Sequence, residues 1–243
     1  MKIESVQGEF RFRQFVVRHD RCGMKVGTDG ILLGAWAEVD GARKILDVGT
    51  GSGLIALMLA QRNLGARIDA IEIDPVASGQ AAENMAASPW ADRVSVTNQS
   101  LQDFVSTSRE NSLRFDRVVC NPPFFHGQIT AAESARQVAR HGTELSMDEL
   151  VAGVAELLEP TGRFCLIFPD DLSDRFRQLA AGAGLEMFRQ TVVHPRPDVL
   201  AKRRLLEFGF GTVAEPVFES LTVEDSKHVY SDDWQELTGE FYV

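Results

Sequence analysis

The chain reads as an α/β protein: a mostly parallel sheet of seven strands with helices on both faces and a short N-terminal extension. Three observations predict this. From Lys44 onward, strand patterns alternate with helical ones, the order that builds a parallel sheet. Phe115 to Cys120 reads as a buried strand, as expected where both faces of a sheet are covered. The length of 243 residues, with 44% hydrophobic and 25% charged content, is ordinary globular usage and enough for a full core.

The elements follow in order. Lys44 to Val48 is the first strand, and Leu54 to Arg62 the helix after it, with Gly65 near its stop. Arg67 to Ile73 is the second strand. Asp74 as N-cap and Pro75 at the first helical position open a helix to about Ala87. Val94 to Thr97 and Phe115 to Cys120 are the third and fourth strands. Glu144 to Leu158 is helical, with Ser146 and Glu149 as a capping-box pair. Arg163 to Phe168 is the fifth strand, Leu172 to Ala183 a helix, and Met187 to Val193 and Arg204 to Gly211 the last two strands. Residues 1–43 form an extension that closes over the site, in which Thr28 caps a helix from Gly30 to Glu38. Residues 44–243 form one structural unit, and the closing Gly239-Glu240-Phe241-Tyr242-Val243 reads as a docked strand.

Composition narrows the class. No apolar run reaches the roughly 18 residues of a membrane span, and Met1 to Phe15 lacks a signal-peptide apolar core. Three widely spaced cysteines, two of them in predicted core strands, point to a reduced, cytoplasmic protein. The five histidines show no metal-ligand spacing, so no metal is expected, and a monomer is the expected state. Net charge is −10, of which −7 falls in Ala214 to Val243, with eight acidic residues and one lysine. Two stretches are locally basic. Met1 to Gly30 has six Lys/Arg against four Asp/Glu, and Arg196 to Arg204 has four against one. Such clusters are either solvated surface or phosphate contacts flanking a binding pocket.

Asp47-Val48-Gly49-Thr50-Gly51-Ser52-Gly53 is a glycine-rich strand-to-helix turn. The backbone can approach a ligand closely there, and free amides are expected to point outward at the helix start. The spacing departs from the dinucleotide fingerprint, which has two residues between its second and third glycines. Asp47 would repel phosphates but suits a cation such as the sulfonium or amine of S-adenosylmethionine. Glu72, with Ile73 beside it, ends the second strand, where an acidic residue can accept both ribose hydroxyls. Ser100-Leu101 follows the third strand, where an adenine edge would lie.

Asn121-Pro122-Pro123-Phe124 ends the fourth strand. The two prolines stop the strand and stiffen the turn. Asn121 and the Pro122 carbonyl can then aim two acceptors at one spot, with Phe124 as a flat ring over it. This set suits a planar group bearing an NH2, such as adenine. The amine is a poor nucleophile because its lone pair is delocalised, and two acceptors on its N–H bonds expose that pair. Alignment and electrostatics rather than a strong base would supply the rate gain. Phe125 is a second stacking surface or a core residue. His126 stands beside the pocket, and the loop Gly127 to Gly142, with Arg136, Arg140 and His141, is placed to contact phosphates.

With these motifs in hand, residues 44 to about 211 resemble a class I S-adenosylmethionine-dependent, Rossmann-like methyltransferase of the amino-directed type. Phe12-Arg13-Gln14-Phe15, Met24-Lys25-Val26-Gly27-Thr28-Asp29-Gly30-Ile31-Leu32-Leu33-Gly34-Ala35-Trp36, the Asn-Pro-Pro-Phe-Phe run and Phe241-Tyr242 resemble the bacterial tRNA1(Val) adenine N6-methyltransferase family. The resemblance implies methylation of the adenine at tRNA position 37, with Lys25, Thr28 and Asp29 helping to enclose the cofactor. Arg11, Arg13, Lys202, Arg203 and Arg204 are the expected tRNA contacts. Three alternatives share parts of the pattern: a ribosomal RNA guanine N2-methyltransferase, a release-factor glutamine N5-methyltransferase and a non-catalytic nucleotide-binding module. The first commonly carries a duplicated domain, the second a helical N-terminal domain and usually tyrosine at the Phe124 position. The third leaves Asn121 to Phe124 unexplained.

Overall fold

The computed structural model describes residues 4–6, 8–122 and 145–242. Three short antiparallel strands, β1 (Glu4–Val6), β2 (Glu9–Arg11) and β3 (Val16–Arg18), open the chain. An irregular segment leads from them to helix α1 (Thr28–Trp36). Then come β4 (Lys44–Val48), α2 (Leu54–Arg62), β5 (Arg67–Glu72), α3 (Pro75–Ala86), β6 (Val94–Asn98), α4 (Leu101–Glu110) and β7 (Phe115–Cys120). Beyond residue 144 lie α5 (Met147–Leu157), β8 (Leu158–Pro169), α6 (Ser173–Gly182), β9 (Glu186–His194) and β10 (Arg203–Gly209). The chain closes with β11 (Val217–Thr222), a small ribbon of β12 (Glu224–Ser226) and β13 (Val229–Tyr230), and α7 (Asp232–Thr238).

The main sheet has the order β11-β9-β10-β8-β7-β4-β5-β6. Strands β6, β5, β4, β7 and β8 are parallel neighbours; β10 runs antiparallel to both β8 and β9. The parallel part explains the apolar interior: Ile45, Leu46, Val118, Val119, Leu166 and Ile167 are buried. One face carries α1, α2 and α3, together with aromatics of the N-terminal strands and of the C-terminus. The other carries α4, α5 and α6. β4 lies where the order turns back, with β5 and β6 on one side and β7 and β8 on the other. Such a switch point opens a crevice at the carboxyl ends of the strands.

Three expectations are corrected, and one unassigned stretch is filled. The sheet has eight strands, because β11 adds to the edge of β9 in parallel; its first four residues are exposed, so no burial period announces it. A helix, α4, fills the stretch between the third and fourth strands. α1 begins at Thr28 with Gly27 as N-cap, so Thr28 is the first helical residue rather than the cap. The last residues form no strand: α7 ends at Thr238, and Phe241 and Tyr242 then bury their rings against Phe10 and Phe12. The Arg13 amide donates to the Phe241 carbonyl at 2.8 Å, tying extension and C-terminus together. The capping box of Ser146 and Glu149 and the Asp74 cap with Pro75 form as read.

Candidate active site

Three adjacent strands deliver the site. β4 ends in the glycine turn, β5 in Glu72 and β7 in Asn121, all at the same edge of the sheet. Above them lies a cavity of about 650 Å³. Its wall includes Gly49, Thr50 and Gly51 from the turn, Glu72 and Asp74, and Asn121. The extension closes it with Cys22, Gly23, Met24, Lys25, Thr28 and Asp29. Lys25, Thr28, Asp29, Gly49, Thr50, Gly51, Glu72 and Asn121 therefore line one cavity.

The glycine turn needs glycine. Gly49, Gly51 and Gly53 have φ of 69°, 57° and 83°, the left-handed region that side chains disfavour. Four of its amides are engaged within the protein. Those of Gly49 and Thr50 donate to the Ile71 carbonyl, that of Gly53 to Thr50, and that of Gly51 to Glu72 Oε2 at 2.8 Å. Glu72 Oε1 accepts from the Asp74 amide at 3.0 Å. Each carboxylate oxygen of Glu72 thus keeps a lone pair for a donor in the cavity.

Five predicted contacts fall elsewhere. Asp47 is fully buried beneath the turn rather than in the cavity wall. Its Oδ2 accepts from Thr50 Oγ1 at 2.6 Å and from the Ala56 amide at 3.2 Å, so it braces the turn against the start of α2. Burial pushes its carboxyl up to about 7 against those two bonds. Gly53 is the N-cap of α2 and packs against α3, where an added Cβ would lie 3.3 Å from Met85 Cε. Ile73 is 42% exposed just past β5 and is not in the cavity wall. Ser100 caps α4 by accepting from the Asp103 amide, and Leu101 is buried against Gly153; a Ser-x-x-Asp start to a helix accounts for both.

Asn121 lines the cavity, and its Nδ2 lies 3.9 Å from Met24 Sδ. Its Oδ1 is buried and has no hydrogen-bond partner among the described residues. A buried amide oxygen left without a partner is costly, so Asn121 keeps an acceptor for an N–H donor. Pro122 is buried. Pro123, Phe124, Phe125, His126 and the loop Gly127 to Gly142 lie outside the described residues. Cys22, also in the wall, donates its thiol to Gln80, and burial pushes that thiol up to about 11, so it is no nucleophile at neutral pH.

A family model described as the methyltransferase small domain matches residues 26–179. A tRNA1(Val) (adenine(37)-N6)-methyltransferase of Bacteroides fragilis is 46% identical over 96% of this chain and 97% of its own. One of Phocaeicola vulgatus is 48% identical over the same shares. The chain belongs to the tRNA1(Val) (adenine(37)-N6)-methyltransferase family. Its fold is also that of a crystal structure described as a predicted O-methyltransferase from Agrobacterium tumefaciens, with a TM-score of 0.66, 21% identity, and coverage of 89% of this chain and 98% of that one.

Membership in the tRNA1(Val) adenine N6-methyltransferase family directs attention to the cationic residues. Arg203 Nε donates to Asp29 Oδ2 at 2.9 Å, and Arg204 Nε to Asp170 Oδ1 at 2.6 Å. Both start β10 and are half-buried, so internal ion pairs engage the two arginines expected on RNA. Arg11 pairs with Glu9 at 2.5 Å, while Arg13 and Lys202 are exposed. The signals missed by sequence were Gln80 and Asn84 of α3, which hold the extension from behind. Nothing in a polar helix face tells such residues from solvated ones.

Proposed function

We propose that the protein transfers a methyl group from S-adenosylmethionine to the exocyclic N6 of adenine 37 in tRNA1(Val). The observation that carries this is Asn121 in the wall of the cavity, together with Glu72 and the glycine turn, its Oδ1 without a hydrogen-bond partner among the described residues. The fit rests on charge and donor chemistry. Among the described residues three carboxylates (Asp29, which also pairs with Arg203, Glu72 and Asp74) and one lysine, Lys25, line the cavity, and the amides of Gly49, Thr50, Gly51 and Gly53 are spent within the protein. Glu72 would hold the ribose hydroxyls. Asp29, Thr28 and Lys25 would enclose the amino-acid end, with Gly49, Thr50 and Gly51 as the floor.

When bound, S-adenosylmethionine supplies an electrophilic methyl group. Asn121 Oδ1 accepts one N–H of the substrate amine, and the Pro122 carbonyl is the assigned acceptor for the second. These bonds draw the nitrogen toward a tetrahedral shape and aim its lone pair. The nitrogen would gain a carbon as the carbon–sulfur bond breaks, its electron pair staying on sulfur to leave the neutral thioether S-adenosylhomocysteine, and the nitrogen would release one proton to water. Phe124 is assigned to stack on the base, which has left its own stack to reach the cavity. For RNA contact we retain Lys202, Arg13 and Arg11. Arg203 and Arg204 are reassigned to internal pairing.

The test is methyl transfer to bulk tRNA lacking this modification, followed by nucleoside analysis. N6-methyladenosine is the expected product. Methyl on guanine N2, or no product on tRNA while a release factor is methylated, would overturn the reading.

A further inference from the structure

The wall of the cavity from Cys22 to Lys25 belongs to an irregular segment between β3 and α1. It has no strand ladder to hold it. Side chains of α3 supply much of that hold: Glu83 pairs with Arg21 at the surface, and two buried amides one turn apart, Gln80 and Asn84, face the segment. Gln80 is fully buried. Its Oε1 accepts from the Arg21 amide and from the Cys22 thiol, both at 3.0 Å, and its Nε2 donates to Asp20 Oδ1 at 2.6 Å. Asn84 is also buried. Its Oδ1 accepts from the Arg18 amide at 3.0 Å; its Nδ2 donates to the Arg18 carbonyl at 2.7 Å and to the Ser52 carbonyl at 2.8 Å. Ser52 lies in the glycine turn, so Asn84 joins the extension to the floor of the cavity. Neither residue was legible as functional, and Gln80 does not itself line the cavity.

We infer that Gln80, seconded by Asn84, is a positioning residue for the cofactor site: it latches residues 18–25 onto α3 so that Cys22 to Lys25 form the closed wall and Met24 meets Asn121. The inference rests on the cofactor assignment above. The polarity of the latch is specific. An amide at residue 80 offers an acceptor to two donors and a donor to one carboxylate. A donor partner also holds the Asp20 carboxyl below its ordinary range, the Gln80 bond being the first cause. Gln80→Glu keeps the acceptor and the volume but sets two carboxylates against each other. Asp20→Asn in the same chain restores a donor–acceptor pair with its direction reversed.

The experiment measures binding of S-adenosylhomocysteine by calorimetry without RNA, with melting temperature and trypsin cleavage after Arg21 and Lys25 alongside. Gln80→Glu is expected to weaken binding about tenfold or more and to speed cleavage at both sites. The double variant with Asp20→Asn is expected to recover both readouts, which a generally destabilised fold would not do. Should Gln80→Glu fail to fold, Asp20→Ala changes an exposed residue and removes one latch bond; weaker binding and faster cleavage are expected there too. Unchanged binding in the folded single variants, or a double variant no better than Gln80→Glu, would overturn the inference. No binding by the unsubstituted protein would instead refute the cofactor assignment beneath it.

Discussion

Asp47→Asn isolates the charge that the fold buries beneath its glycine turn. The carboxyl of Asp47 has its acid range raised from 3.8 to about 7, chiefly by burial. At about 1.4 kcal/mol per pH unit, this corresponds to on the order of 4 kcal/mol. The sign follows from proton counting. Between the unfolded and folded values the native state holds a proton that the unfolded state has released. Stability is therefore fully present below pH 3.8 and is lost as the pH rises through about 7. Asparagine keeps an acceptor for Thr50 and Ala56 and does not titrate. Its own cost, an amide left without a partner where Oδ1 now stands, is the same at every pH. Urea unfolding of both proteins from pH 5 to 8 measures the difference. The variant should gain about 2 kcal/mol on the parent between pH 5 and 7, levelling off above 8. A difference independent of pH, or one that favours the parent as pH rises, would refute the placement of a buried, under-bonded carboxylate there.

Two further predictions concern substrate and turnover. Asn121→Ala should lower kcat on the order of a hundredfold or more while S-adenosylhomocysteine binds nearly as before, and equal losses in both would contradict its assignment to the amine. Lys202→Ala and Arg13→Ala should each reduce the salt dependence of tRNA binding by about one phosphate contact. Arg204→Ala should instead lower the unfolding midpoint, since it strands Asp170; a reduced salt slope without destabilisation would return that arginine to the RNA surface.

The legible parts of the molecule were those whose physics is local. The strand ending at Asn121, stopped by two prolines, and the Asp74–Pro75 helix start need only neighbouring residues to be read. So does the glycine turn, whose positive φ values demand glycine. What failed was direction and distant partnership. A carboxylate beside three glycines looked ligand-facing, yet Asp47 turns down toward the first turn of α2, where Ala56 offers its amide. Arg203 and Arg204 read as a basic patch because their partners, Asp29 and Asp170, lie 174 and 34 residues away in sequence. α4 did carry a readable signal, Ser100 followed three residues on by Asp103, with Leu101 and Val105 on a buried face, yet Ser100-Leu101 was assigned to ligand instead. β11 carried none, because Val217 and Phe218 face outward on an edge strand.

The central claim is tested most directly on an unmodified tRNA1(Val) transcript. The protein is given labelled S-adenosylmethionine, beside the same transcript with guanine in place of adenine 37. The account predicts label on the first RNA only, recovered as N6-methyladenosine. Equal labelling of both transcripts, or label on any atom other than N6, would contradict it.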